Sequence, residues 1–165
     1  MFASVRAAVM GLAVAGLLIA GEGQNAIAEE PSDVASTIMA SSSFRTAARV
    51  FQAAKLVDTL KSTGPFTVFV PNEAAFSKFP SWKLDRALKD PRLIAGISGY
   101  HIATGAGLTP SQLATMKALP TLQGKLLIVS MQGGTVVLDG RARVVNGGIV
   151  CTNGMVYEID AVLNP

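Results

Sequence analysis

A single histidine, His101, and a single cysteine, Cys151, are all that the 165 residues offer toward imidazole or thiol chemistry. General acid–base work needs a titrating group aimed at a reacting atom. His101 instead sits in the run Tyr100-His101-Ile102-Ala103, among apolar neighbours. A hydrogen-bonded, partly buried histidine is the expected role. A metal site would need at least two more ligands, and Asp85, Asp90, Glu158 and Asp160 are scattered among Lys and Arg in the manner of a solvated face. No Gly-rich turn stands between a strand and a helix to cradle phosphate. The expectation is therefore a protein without catalytic residues, metal or cofactor. A lone cysteine excludes an intrachain disulfide, and Cys151 has two fates, burial in a strand beside Ile149 and Val150 or an intermolecular bond. Burial is the expected one.

Binding chemistry is better represented. Phe79, Trp82, Lys83, Arg86, Lys89 and Arg92 put large apolar groups beside positive charges, a mixture that protein interfaces favour. Trp82 has a second reading, the expected one, in which it anchors a helix to the core and the basic residues are ordinary helix surface. The net charge of +3 is mild and basic residues are not interleaved with aromatics, so a nucleic-acid partner is not expected.

These groups must be positioned by a helical first part and a strand-rich last part. The spacing predicts a short helix over 33–40. Phe44, Ala47, Ala48 and Phe51, continued by Ala53, Leu56, Val57 and Leu60, predict one helix with a buried face. Gly64-Pro65 breaks it, and Phe66-Thr67-Val68-Phe69-Val70 has the content of a buried strand that Pro71 stops. Asn72, Ser81 and Asp90-Pro91 are placed to open three short helices, and Thr109-Pro110-Ser111-Gln112 reads as a capping box. From Lys125 onward, Gly133-Gly134, Asp139-Gly140, Asn146-Gly147 and Asn153-Gly154 separate short apolar runs, as hairpin turns do. Several short antiparallel strands in one α+β domain are expected.

The N-terminus adds a location. Arg6 precedes an apolar run from Ala7 to Ala20, then a short polar stretch ending in Ala26-Ile27-Ala28. That order reads as a signal peptide over 1–28, cut before Glu29, because the run is shorter than the ~20 residues a membrane span needs. The remainder, 29–165, is one domain's length. A secreted or periplasmic protein without stable membrane insertion after signal removal is expected.

Three segments carry a family likeness. The run Thr63-Gly64-Pro65-Phe66-Thr67-Val68-Phe69-Val70-Pro71-Asn72-Glu73-Ala74-Ala75-Phe76 resembles the first signature of fasciclin-like domains, and the run from Asn153 to Pro165 resembles the second. Between them, Tyr100-His101 is similar to the family's central Tyr-His pair. Tyr157 stands where the second signature often has His, and Asn72-Glu73 where the family often has an extra polar residue. The resemblance implies a twisted antiparallel β-sandwich or wedge with helices packed around it, a structural role for Tyr100 and His101, and an exported adhesion or protein-binding module whose partner is a protein, cell-surface or matrix component. A periplasmic small-ligand-binding protein is the alternative, and it would need an apolar cavity.

Overall fold

The computed structural model describes residues 32–164. The signal-peptide expectation for 1–28 lies outside them. Asp33 opens the first helix, α1 (Val34–Ala40), by accepting a hydrogen bond from the Ser36 amide. The expected long helix is two. After a 3-10 turn (Ser42–Phe44), α2 (Arg45–Ala53) ends at Lys55, whose φ of +60° is left-handed, and α3 (Val57–Lys61) restarts in a new direction. Apolar spacing alone did not reveal the break, because Phe44, Ala47 and Phe51 before it and Leu60 after it are all buried, although Ala53, expected on the same face, is exposed where the helix ends. No side chain of its own caps α2. The Glu73 carboxylate does so from afar, accepting from the Thr46 amide at 2.8 Å and the Thr46 hydroxyl at 3.0 Å.

Strand β1 (Phe66–Pro71) is buried along its whole length. It leads into α4 (Glu73–Lys78), capped by the Asn72 side chain as expected. Next comes α5 (Ser81–Lys89), where Ser81 is the first helical residue and not the cap: Pro80 holds the cap position without a side-chain bond. Asp90 then caps α6 (Pro91–Tyr100) through the Arg92 and Leu93 amides. Strand β2 (Ile102–Thr104) follows, and α7 (Pro110–Thr115) begins with the expected capping box at Thr109 and Gln112.

The remaining strands are β3 (Ala118–Pro120), β4 (Leu126–Gln132), β5 (Thr135–Leu138), β6 (Ala142–Cys151) and β7 (Gly154–Ile159). The Gly133-Gly134 and Asp139-Gly140 turns fall between strands as expected, whereas the last hairpin turns on Thr152-Asn153, one position before the expected pair, with Gly154 already the first residue of β7. Asn146-Gly147 is not between strands, for it lies inside β6, where the pairing with β7 shifts register between Val144 and Asn146 and again between Gly147 and Ile149. Gly147 is needed there because a Cβ would collide with the Tyr157 ring on β7.

The strands form one sheet in the order β2-β1-β7-β6-β5-β4-β3. Its outer strands approach each other through an Ala103–Thr121 bridge and a bond from the Leu122 amide to the Ile102 carbonyl at 2.8 Å, so the sheet curls toward closure. The α+β wedge wrapped by helices is as expected. One pairing departs from a purely antiparallel arrangement: β1 and β7, which carry the two signature segments, run parallel from Phe66–Gly154 to Pro71–Ile159. Parallel neighbours need a long crossover, and every element between β1 and β7 provides it.

Asn153 ties this centre to the N-terminal helices. Its side-chain carbonyl accepts from the Val34 amide at 2.9 Å, while its amide nitrogen donates to the carbonyls of Leu60 and Ser62, each at 2.6 Å. The apolar interior has two main bodies. One lies inside the curled sheet around Phe69, Leu127, Tyr157 and Leu163, and the other lies between β1 and the N-terminal helices around Phe44, Phe51, Val68 and Val156.

Candidate functional site

A histidine can act on a substrate only if a ring nitrogen is free to meet it. His101 ends α6 fully buried, and both nitrogens are engaged inside the protein. Nδ1 lies 2.8 Å from the Ile97 carbonyl, which can only accept, and the Leu163 amide donates to Nε2 at 3.0 Å. The ring is therefore the neutral tautomer with its proton on Nδ1. Burial holds its pKa down at about 4, opposed in part by the bond to Ile97. The neighbouring Tyr100 hydroxyl donates to the Asp139 carboxylate at 2.6 Å, and burial with that bond pushes its pKa up to about 12. The pair thus joins the end of α6 to the C-terminal tail on one side and to the β5–β6 turn on the other.

Cys151 is buried at the end of β6, 3.3 Å from the Thr37 hydroxyl, and burial raises its thiol pKa. Neither residue presents a free nucleophile or base. Among the described residues no group of three or more His, Cys, Asp or Glu could hold a metal ion, and no helix is long and apolar enough to cross a membrane. Tyr157 is buried, stacked against Phe69 with ring centroids 5.7 Å apart, and its hydroxyl donates to the Leu108 carbonyl at 2.7 Å.

Of the candidate contact residues, Phe79 lies in the extended link after α4, Trp82, Lys83, Arg86 and Lys89 on α5, and Arg92 on α6. Leu84, Ala87 and Leu88 turn α5 toward a small apolar cluster with Val50 and Ile94. Helical spacing then sends Trp82, Arg86 and Lys89, at i, i+4 and i+7, to the opposite side. The expectation that Trp82 anchors the helix is corrected here. Its ring is 61% exposed, because Leu84, Ala87 and Leu88 already fill the face of α5 that packs. The Lys83 ammonium sits 5.6 Å from the Trp82 ring centroid, within cation–π range.

Phe79, Trp82, Lys83 and Arg86 are brought together around an open groove of about 280 Å³. Lys89 and Arg92 are exposed nearby but do not line it. Sequence reasoning missed three lining residues. Leu93 and Ile97 are four apart on α6, a spacing that was readable, whereas Asn164 arrives on the C-terminal tail only because the adjacent Leu163 is held by His101. Behind Phe79 and Ile97, the apolar space enclosed among α2, α4, α5 and α6 measures about 20 Å³. That is room for about one water molecule and none for an organic ligand.

This geometry can bind, for aromatic and basic side chains ring an open groove. The chain is 41% identical over 110 residues to immunogenic protein MPB70 of Mycobacterium bovis, covering 67% of this chain and 54% of the relative. It is 38% identical over 110 residues to the cell surface glycolipoprotein MPB83 of the same species, covering 67% of this chain and 48% of that one. The chain thus spans about half the length of these curated relatives. In fold it matches a solved domain pair from the insect cell adhesion molecule fasciclin I, with a TM-score of 0.66 at 22% identity over 81% of this chain and 51% of the other. The Fasciclin domain model matches residues 42–165, from the 3-10 turn before α2 to the end of the chain, and the chain belongs to that family.

Proposed function

We propose that this chain is an exported, non-catalytic module that binds a protein, cell-surface or matrix component in the periplasm or outside the cell, through the α5–α6 face. The observation that carries the reading is the concave groove with an exposed Trp82 on its lip and Lys83 and Arg86 beside it. A large exposed aromatic next to Arg and Lys at the edge of a depression is the composition of interface hot spots. Relatives named as a cell surface glycolipoprotein and a cell adhesion molecule support the location and the kind of activity. The order of residues 1–28, a basic residue, a short apolar run and Ala26-Ile27-Ala28, reads as a signal peptide and supports export. The enclosed apolar space of about 20 Å³ gives the small-ligand alternative no comparable support.

Charge reversal at Lys83 and Arg86 tests the assignment. Both side chains are exposed, so unfolding curves of the double variant should overlay the parent, while association with the partner retained from the native envelope or culture fluid slows, most of all at low ionic strength. Equal association rates at low salt would remove this face from consideration.

A further inference from the structure

The segment that carries the groove differs from the rest of the chain in its charge, and two of its cations, Lys83 and Arg86, line the groove. From Lys78 to Arg92 the chain holds five basic residues, Lys78, Lys83, Arg86, Lys89 and Arg92, against two acidic ones, Asp85 and Asp90. That surplus of three equals the net charge of the whole chain, so the remainder balances to zero. Neither carboxylate lines the groove. Asp90 is committed to the α6 amides of Arg92 and Leu93. Asp85 lies two residues from Lys83 on α5, and a helix turn of 3.6 residues sends the two to opposite flanks. Only Lys83 of these two lines the groove.

Half-buried Phe79 and Ile97 make an apolar floor, with exposed Leu93 and the polar Asn164 beside it. A sugar polymer could stack on the Trp82 ring but would leave Leu93 and Ile97 without apolar contact. A flat anionic membrane would reach the protruding Trp82 and the cations but not a concave floor. An apolar side chain with carboxylates beside it meets all three features, because it fills the depression, packs on the indole edge and pairs with the cations on the rim.

We propose that the groove takes an acidic segment of a partner protein, in which a Leu- or Phe-type side chain is flanked by Asp or Glu. The apolar side chain seats on Phe79, Leu93 and Ile97 against Trp82, and the flanking carboxylates meet Lys83 and Arg86. This rests on the α5–α6 face being the contact surface, and it adds the chemistry of the partner.

The probe is a labelled synthetic peptide of sequence Asp-Glu-Leu-Phe-Asp-Glu, compared with its Asn/Gln counterpart, a counterpart with Ala for Leu and Phe, and phosphatidylglycerol vesicles, each titrated with the full mature chain. The acidic peptide should bind saturably, and each control peptide should bind about tenfold more weakly or not at all. Lys83→Glu with Arg86→Glu, and separately Trp82→Ala, should each weaken the acidic peptide by about tenfold with unfolding curves unchanged. Equal binding of the acidic and amide peptides, or binding of vesicles without the acidic peptide, overturns the proposal. Retention of the native partner, run in parallel on the charge-reversed protein, separates the two levels. If the partner is lost while both peptides bind equally, the face stands and the acidic segment falls. If the partner is retained unchanged, the face itself is wrong and the acidic segment falls with it.

Discussion

Lowering the pH from about 7.5 to about 5 is expected to destabilise the fold through His101. The folded protein holds this ring neutral, with a pKa of about 4, because burial excludes water, opposed in part by the bond to the Ile97 carbonyl. In the unfolded chain the ring returns to about 6.5. The folded pKa is the lower of the two, so between 6.5 and 4 the unfolded state binds more protons and stability falls with pH. It is fully present above about 6.5 and declines toward about 4. At pH 5 the linkage amounts to about 2 kcal/mol. Ordinary carboxylates contribute mostly below that point. With a typical urea slope, the midpoint should drop by on the order of 1 M. Urea melts followed by far-UV circular dichroism are the suitable assay, since the exposed Trp82 reports poorly on the core. His101→Gln, which cannot titrate, should cost about 1–3 kcal/mol near pH 7.5 by disturbing the bonds to Ile97 and Leu163, and should lose most of the slope above pH 5. Identical pH dependence in the parent and His101→Gln would refute the assignment of the acid sensitivity to this ring.

Asn153→Ala removes three hydrogen bonds that join the β6–β7 turn to α1 and α3, and should lower stability by ~3 kcal/mol; chemical denaturation checks this, and an Asn153→Asp variant as stable as the parent would contradict the need for an amide facing Leu60 and Ser62. Ser98 buries its hydroxyl without a hydrogen-bond partner beside the small enclosed space near His101. Ser98→Ala should therefore stabilise by about 1 kcal/mol in the same melts, and a loss of that size would show that the hydroxyl has a partner after all. Intact-mass measurement of exported protein should give a chain beginning at Glu29, and a species still carrying residues 1–28 would rule out cleavage at Ala28.

Much of the local structure was legible because caps and turns are written in adjacent residues. Asp33, Asn72, Asp90 and Thr109 each satisfy amides two or three positions ahead, so no tertiary information is needed to place the helix starts. Ser81 failed because Pro80 had already set the backbone at the cap position. Asn146-Gly147 failed for a different reason. A bulge and a hairpin turn use the same residue types, and only the partner strand decides between them, here by placing the Tyr157 ring over Gly147. The two short strands β2 and β3 went unseen because three residues carry too little periodicity to register.

The candidate site divides in the same way. Its residue types and much of its spacing were in the sequence: Phe79, Trp82, Lys83 and Arg86 stand close together, and Leu93 and Ile97 are one helical turn apart. Which side of α5 faces water was not settled by composition, since Trp82 and Leu88 are both large and apolar. Packing against Val50 and Ile94 chose Leu84, Ala87 and Leu88 for the interior and left the indole outside. The groove also needs two helices at a fixed separation and a tail brought 62 positions back along the chain, from Leu163 to His101. Most helix starts, the family signatures and the sparse chemical inventory are legible in short-range patterns, whereas β2, β3 and the break between α2 and α3 are not. The burial of Cys151 is as expected from its apolar neighbours, but the parallel pairing of β1 with β7 and the exposure of Trp82 depend on which distant surface reaches a residue first, and short-range pattern does not carry that.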